Sequence, residues 1–231
     1  MRSEWPEVTV GEIASSRQYA LVGGPFGSNL VSRDYVPAGV PIIRGQNMGQ
    51  RFIGGEFAYV SSEKAEALSA NLARPGDVIF TQRGTLGQVS LVPNEPFEQY
   101  LISQSQMKLT VESKKADPLF LYYVFQTPEQ LEHIRNHAIQ TGVPHTNLGI
   151  LRNTPIPLPP LGKQRAIARV LGALDDKIEL NRRTNETLDA MARVLFWEYC
   201  YERRVTFEWK TISDFVDQKV IVIGDGYRAK N

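Results

Sequence analysis

Cysteine and histidine are scarce in this 231-residue sequence. Cys200 is the single cysteine, which excludes an intrachain disulfide framework and a cysteine-based metal cage. We interpret Cys200 as a packed apolar residue, because no positioned base accompanies it. His133 and His137 are four residues apart, a spacing that can hold a metal ion on one helix face. No Glu-x-x-His arrangement completes such a site, so the pair is interpreted as solvated helix surface.

Long apolar runs and an excess of one charge are also lacking. No apolar stretch approaches the roughly 20 residues that cross a bilayer, and the N-terminal sequence MRSEWPEVTV has no apolar signal core. The 26 Lys and Arg residues nearly balance the 25 Asp and Glu residues, which gives a formal charge of +1. A strongly basic arm is therefore excluded, although a local basic patch is not. We expect a cytoplasmic protein with no membrane partner.

Enzyme signatures are incomplete. The glycine-rich residues 23–28 lack the lysine of a phosphate-binding loop and the spacing of a dinucleotide fingerprint, so they predict a structural turn. Residues 94–97, Asn-Glu-Pro-Phe, differ by one residue from the Asn-Pro-Pro-Phe loop with which amino-methyltransferases hold an exocyclic amine. No glycine-rich S-adenosylmethionine loop precedes them. We assign this chain no catalytic residue, no metal ligand and no bound cofactor. The alternative, that the chain is itself a methyltransferase, predicts that the isolated chain binds S-adenosylmethionine.

Residues 1–160 alternate short apolar runs with glycine- and proline-rich turns, which predicts the strands of a twisted mixed sheet. The predicted strands cover residues 8–13, 41–44, 57–60, 78–82, 88–92 and 107–111. Helices are predicted at 63–70, at 119–126 after Asp117-Pro118, and from Thr127-Pro128 to about 139 with Gln130 at the capping-box position. The fold class is therefore α+β: a globular mixed α/β domain at 1–160, followed by a long helix.

The sequence changes character at a proline-rich strap. Ile-Pro-Leu-Pro-Pro-Leu at 156–161 cannot be helical and predicts an extended segment. Residues 162–202 lack proline, and their apolar spacing alternates between three and four, which predicts about four heptads in a helix of roughly 60 Å. We expect this helix, assigned to 161–204, to project and to pair with another helix. The pairing stripe is Leu171, Leu174, Ile178, Asn181, Asn185, Leu188, Ala192, Leu195 and Tyr199.

Two asparagines, Asn181 and Asn185, fall at the centre of this stripe. Buried asparagine at such positions costs stability and fixes register and partner. Residues 205–231 are strand-like again, and Trp209 with 212–215 repeats, after a two-residue shift, the pattern of Trp5 with 10–13. We interpret 205–231 as the start of a truncated second copy of the globular domain.

Four predicted loops carry side chains that recognise base edges. Arginine pairs with guanine, and asparagine and glutamine pair with adenine, each through two hydrogen bonds. The predicted DNA-contacting residues are Arg44, Gln46, Asn47, Arg83, Thr85, Gln104, Ser105, His145 and Asn147. Loops are often polar for solvation alone. The alternative is therefore a protein-interaction adaptor that acts through its helix without specific DNA recognition.

Taken together, several motifs resemble the specificity subunit of type I restriction-modification systems. They are GPFGS at 24–28, IRGQN at 43–47, GDVIF at 76–80 with GTLG at 84–87, the apolar run 119–125, and the strap 156–161 that leads into the long helix. The resemblance covers about 1–204. It implies a non-catalytic subunit with two target recognition domains and two antiparallel helices. Each domain recognises one half of a split double-stranded DNA target.

The resemblance also implies partners. A specificity subunit docks modification subunits, which carry S-adenosylmethionine and methylate adenine, and in the larger complex a restriction (motor-nuclease) subunit uses ATP and Mg²⁺. This chain holds one domain, one helix and a short remainder, so we expect a homodimer in which the stripe pairs antiparallel with its own copy. Such a dimer should prefer a split palindrome.

Surface charge separates DNA recognition from the adaptor alternative. Recognition needs a positive face, because phosphate neutralisation supplies much of the affinity. Candidate contributors are Arg33, Arg44, Arg51, Arg83 and Lys108. If these charges are scattered, the adaptor alternative gains.

Overall fold

The computed structural model describes residues 5–140 and 143–202. In chain order the elements are β1 (Glu7–Thr9), α1 (Val10–Ile13), β2 (Leu21–Gly23), β3 (Tyr35–Val36), β4 (Val40–Ile43), β5 (Ala58–Val60), α2 (Ser62–Ala67), β6 (Leu72–Ala73), β7 (Val78–Thr81), β8 (Val89–Leu91), β9 (Tyr100–Ile102), β10 (Gln106–Leu109), α3 (Pro118–Phe125), α4 (Pro128–His137), α5 (Leu148–Asn153), β11 (Pro155–Pro157) and α6 (Leu161–Trp197). A π-helical turn, Glu198–Glu202, continues α6. The predicted truncated copy at 205–231 lies outside the described residues.

The strands form three sheets. The orders are β1-β11, β2-β10-β7-β8 and β3-β5-β4-β9-β6, and every pairing is antiparallel except the parallel pair of β4 and β9. The predicted α+β class is confirmed, and each of the five predicted strands beyond residue 13 coincides with an observed one.

Alternate residues of the central strands face different cores, as the two-residue period of a strand requires. In β7, Val78 and Phe80 join a cluster with residues of α1, α3 and α5, whereas Ile79 joins a second cluster with residues of β4 and β9. In β9, Leu101 faces a third cluster together with Ala65 of α2. The layers therefore run from the helices through the four-stranded sheet and the five-stranded sheet to α2.

Residues 8–13 are only partly a strand, so this prediction needs correction. The strand ends at Thr9, and Val10–Ile13 forms a helical turn whose two apolar ends are buried. The Glu12 carboxylate accepts hydrogen bonds from the Thr9 backbone N–H at 2.6 Å and from its hydroxyl at 2.8 Å. These hydrogen bonds from Thr9 to Glu12 cap the helical turn, which favours a helix at 10–13 over a continued strand.

The predicted caps of α3 and α4 are confirmed. Asp117 Oδ1 accepts from the Phe120 N–H at 3.0 Å, and Thr127 Oγ1 accepts from the Gln130 N–H at 3.4 Å. The capping-box role of Gln130 is wrong, because its side chain turns away and donates from Nε2 to the Pro155 carbonyl at 2.7 Å. Gln130 instead joins α4 to β11.

The strap and the start of α6 are fixed by one buried glutamine. Gln164 is fully buried; its Oε1 accepts from the Asp117 N–H at 3.0 Å. Its Nε2 donates to the carbonyls of Lys115 at 3.0 Å and Pro159 at 2.8 Å. Backbone polar groups that burial would leave unsatisfied thus gain partners, and α6 is attached beside the N-terminus of α3.

Two further contacts extend this attachment along α6. The Tyr123 hydroxyl donates to Asp175 Oδ2 at 2.7 Å; burial first, and then this hydrogen bond, raise the pKa of Tyr123 to about 12. Arg51 Nη1 donates to the Gly172 carbonyl at 3.0 Å. A Cβ on Gly172 would come within 3.3 Å of Leu119 Cδ2, so glycine permits close packing of α6 on α3.

Beyond these contacts the stripe is exposed. The chain divides into two compact units, Met1–Asp175 and Asp176–Asn231, so the division lies inside α6 and not at the strap. Leu171 is half-buried, whereas Ile178 and Leu195 are 66% and 60% exposed. The predicted boundary at residue 160 rests on composition and stays a prediction.

Lys108 is buried in the centre of the four-stranded sheet. Its ammonium donates to the Leu72 carbonyl at 2.5 Å and lies 3.9 Å from Asp77 Oδ2. Asp77 also accepts from the Thr110 hydroxyl at 2.6 Å and from the Arg74 backbone N–H at 2.9 Å. Burial raises the pKa of Asp77 and lowers the pKa of Lys108. Each group is therefore the partner that makes the other's burial tolerable.

We predict that Lys108→Met destabilises the protein by about 3–5 kcal/mol, because it leaves the Asp77 carboxylate buried without its cation. Chemical denaturation measures the change. The matched control is Lys114→Met at an exposed lysine, which should change the unfolding free energy by no more than about 0.5 kcal/mol. Equal stability of the two variants would show that the pair does not hold the sheet.

Candidate nucleic-acid interface

The sheet registers bring four loops to one edge of the domain. Because β4 and β9 are parallel and Ile43 pairs with Ile102, the loops 44–47 and 103–105 leave side by side. The antiparallel partners of β10 end where β10 begins, since Gln106 pairs with Thr81 and Met107 with Gly23. The loops 82–88 and 24–30 therefore start at the same edge. We call these four loops, together with residues 143–147, the loop edge.

Backbone hydrogen bonds join these loops to one another. The Ser103 N–H donates to the Ile43 carbonyl at 3.0 Å, and the Gln82 N–H donates to the Ser105 carbonyl at 2.7 Å. The Thr146 N–H donates to the Gln82 carbonyl at 2.8 Å, which adds the segment 143–147. The predicted DNA-contacting residues, separated by up to about a hundred positions in sequence, are thus brought together.

In the first loop, Asn47 is a structural residue. It is 3% exposed; its Oδ1 accepts from the Arg44 N–H at 3.0 Å, and its Nδ2 donates to the carbonyls of Gly54 at 3.0 Å and Glu56 at 2.9 Å. Gln46 is exposed and also donates to the Glu56 carbonyl, at 3.2 Å. The amide of Asn47 therefore shapes the loop, and Arg44 and Gln46 are the side chains nearer to solvent.

Loops 82–88 and 103–105 differ in how many of their side-chain groups are already hydrogen-bonded. Arg83 and Thr85 are exposed, and no described carboxylate lies within ion-pair distance of the Arg83 guanidinium. Gln104 is exposed, but its Nε2 donates to the carbonyls of Gly27 at 2.7 Å and Leu30 at 3.0 Å. Ser105 beside it is half-buried. Arg83 is thus available to an external acceptor, whereas Gln104 offers its free Oε1.

The last segment contributes one capping residue. Asn147 Oδ1 accepts from the Ile150 N–H at 2.9 Å and caps α5. His145 is half-buried, with Nδ1 3.2 Å from the Val143 carbonyl oxygen. Both residues lie on the loop edge. Contact with DNA by any of the nine residues stays a prediction.

Of the five candidate basic residues, two lie on the loop edge. These two are Arg44 and Arg83. Arg33 lies outside the loop edge and is exposed in the turn Ser32–Asp34, which follows loop 24–30. Lys108 is only 7% exposed, and Arg51 is bound to α6, so neither adds to a positive face at this edge.

The described residues contain no group of three or more His, Cys, Asp or Glu side chains suited to a metal ion. His133 and His137 stack with ring centroids 4.0 Å apart, and the pKa of His133 is lowered, first by burial and then by His137. None of the helices in the described ranges is long and apolar enough to cross a membrane.

Residues 3–190 match the family described as the type I restriction modification DNA specificity domain. The chain belongs to this family. Among curated relatives, the type I restriction enzyme MjaIX specificity subunit of Methanocaldococcus jannaschii is 24% identical over 84% of this chain and 46% of its own length. The HindI specificity subunit of Haemophilus influenzae is 25% identical over 84% of this chain and 40% of its own length. The chain thus spans less than half of these relatives.

Solved structures show the same fold. The HsdS subunit of Thermoanaerobacter tengcongensis superposes with a TM-score of 0.54 at 19% identity, covering 80% of this chain and 40% of its own. The type I restriction-modification S subunit of M. genitalium gives 0.55 at 20% identity, with coverage of 86% and 45%.

In this specificity domain, loop 24–30 is the part of the loop edge that sequence reasoning missed. Its glycines predicted a turn, and a turn forms, but the turn lies against loop 103–105. A Cβ on Gly24 would stand 1.9 Å from the Ser103 carbonyl oxygen. The only signal in the sequence was the motif at 24–28 itself, because the contact joins residues far apart along the chain.

We predict that Gly24→Ala disrupts the loop edge of the specificity domain, because the new methyl group overlaps backbone that cannot move aside. Overpacking of this kind costs about 1–3 kcal/mol, measurable as a lowered midpoint of thermal unfolding. Gly45→Ala is the control on the same edge, since a Cβ there meets nothing within 4 Å. A Gly24→Ala protein as stable as Gly45→Ala would contradict the close approach.

Proposed function

We propose that this chain is a non-catalytic, sequence-specific DNA-recognition subunit of a type I restriction-modification complex, and that its loop edge contacts one half of a bipartite target. The observation that carries this proposal is the convergence of arginine, glutamine, serine, threonine and histidine side chains from separate loops on one edge. Family membership supports the same conclusion. The cytoplasm, where such a target resides, is the proposed location.

The chemistry of the loop edge suits the major groove. Backbone N–H groups and arginines would bind phosphate and set the register, while base edges would supply sequence specificity. The guanidinium of Arg83 can donate two hydrogen bonds to guanine. Gln46 and Gln104 offer amide groups for adenine, although Gln46 Nε2 already donates to the Glu56 carbonyl and Gln104 Nε2 donates twice to loop 24–30. Gln104 would therefore act as an acceptor.

We further propose that the chain docks a modification subunit, which would carry S-adenosylmethionine, and that a restriction subunit with ATP and Mg²⁺ joins the larger complex. The chemistry belongs to those partners in this proposal.

Self-pairing through α6 would bring two such domains together in one assembly. The stripe is symmetric about residue 183, so antiparallel pairing sets Leu171 against Leu195, Ile178 against Leu188, and Asn181 against Asn185 of a second copy. Only this antiparallel register matches both asparagines and leaves no apolar residue facing a polar one. Apolar area now exposed at Ile178 and Leu188 would be buried.

A groove on the first unit suits the same register. It has a volume of about 910 Å³ and is lined by apolar residues that include Ile167, Leu171 and Phe120, and by polar residues that include Glu7 and Glu129. Antiparallel pairing brings the partner's segment 195–199 opposite Ile167 and Leu171. The exposed apolar end of one helix would thus meet the apolar side of this groove on the other copy.

The exposed stripe also favours the second candidate, a protein-interaction adaptor. Large apolar residues exposed along one helix face call for a partner whether or not DNA is recognised. The two functions differ in one respect: the adaptor has no preferred DNA sequence.

We predict that the full chain enriches one family of sequences from random duplex DNA, and that a self-paired form enriches a split palindrome. Arg83→Ala should lose about 1–3 kcal/mol of discrimination at one base-pair position. Arg74→Ala is the control, because Arg74 is exposed at the opposite end of β7. Failure to enrich any sequence, measured by selection and sequencing, would favour the adaptor.

We predict a self-paired mass of about twice 26.0 kDa by light scattering, with the antiparallel register. In a Cys200→Ser background, differently tagged Ile178→Cys and Leu188→Cys chains should form a disulfide when mixed and not when separate, because positions 178 and 188 face each other only across two antiparallel copies. The matched control mixes Asp176→Cys with Ala190→Cys. These positions are also symmetric about residue 183 but lie on the outer face of α6, so they should form no disulfide. Disulfides within each single variant would indicate parallel pairing.

A further inference from the structure

Phe26 is the most exposed large apolar side chain among the described residues, at 78%. It lies in loop 24–30 between Pro25, which is buried, and Gly27, whose φ of 56° is in the left-handed region. An isolated exposed apolar residue needs no explanation by itself. The setting of Phe26 is different, because its loop belongs to the loop edge and is held on both sides.

Loop 24–30 is held in place by contacts with the connection 103–105 and the start of β10, and one of these contacts comes from Gln104, which is proposed to contact DNA. On one side, the Gly24 N–H donates to the Gln106 carbonyl at 2.8 Å, and Gly24 lies against the Ser103 carbonyl. On the other side, Gln104 Nε2 donates to the Gly27 carbonyl directly after Phe26. The Asn29 N–H closes the turn on the Phe26 carbonyl at 3.1 Å. Phe26 therefore directly precedes the residue that Gln104 binds, on a loop whose backbone is held by hydrogen bonds at both ends.

The chemistry of a presented phenyl ring selects its partner on DNA. Only thymine places an apolar group, the C5-methyl, in the major groove, and apolar side chains such as phenylalanine are the ones that contact it. A preorganised ring also binds without the entropy cost of ordering a mobile loop. We propose that Phe26 contacts one thymine methyl group in the target half-site. This proposal rests on the proposed DNA recognition and adds an apolar contact to its polar ones.

The test uses the full chain and the DNA sequence that it enriches. Each thymine of the half-site, on either strand, is replaced in turn by deoxyuridine, which removes the methyl group and leaves base pairing unchanged. For the unmodified chain, one replacement should weaken binding about fourfold, the amount expected for one buried methyl group. For Phe26→Ala, the methylated and unmethylated sites should bind equally at that position. Fluorescence anisotropy measures all four affinities.

Phe52→Ala is the matched control. Phe52 is 41% exposed and lies beside Leu91, at the end of β8 remote from the loop edge, so its removal should leave the fourfold deoxyuridine effect intact. If no thymine is sensitive, or if the sensitive thymine stays sensitive in Phe26→Ala, the methyl contact is overturned while DNA recognition stands. If the chain enriches no sequence at all, both proposals fail together.

Discussion

The three-residue connection 103–105 is the constraint on which the loop edge depends. It links β9 of the five-stranded sheet to β10 of the four-stranded sheet, and three residues span at most about 10 Å. Both sheets must therefore end at the same place. Because β4 is parallel to β9 while β7 and β2 are antiparallel to β10, four loops emerge together there. A surface to which several separate loops contribute polar side chains is thus a direct consequence of one short turn.

Buried polar groups hold the layers beneath that surface. Lys108 of the four-stranded sheet meets Asp77 and donates to the Leu72 carbonyl of the five-stranded sheet, and Gln164 supplies three hydrogen bonds between the strap, α3 and α6. Such groups are costly to bury, so they are tolerated only with their partners in place. The first turns of α6 are satisfied within their own unit, and the stripe that follows is exposed.

Local signals in the sequence were accurate where the physics is local. Asp117 and Thr127 cap helices within three residues of themselves, and both caps form as expected. Short apolar runs bounded by turn-forming residues located β4, β7 and β10. The same local logic failed at Gln130, whose capping-box position is occupied but whose amide finds the Pro155 carbonyl instead. A spacing rule cannot predict a partner 25 residues away. The hydrogen bond to Pro155 forms because the side chain of Gln130 is buried, and a buried amide needs a hydrogen-bond partner there.

The amino-acid sequence by itself determined the α+β class, the strap, the long helix with its polar centre, and the polar character of the loops. The tertiary structure alone decided which of those loop side chains are free. The side-chain oxygens of Asn47 and Asn147 accept hydrogen bonds that hold their own segments. Gln104 uses its Nε2, but not its Oε1, in hydrogen bonds to residues 77 and 74 positions away. Arg83 remains available. The reason is that hydrogen-bond partners of a loop come from whatever the sheet registers bring beside it. Those registers are set by long-range strand pairing, which no short stretch of sequence encodes.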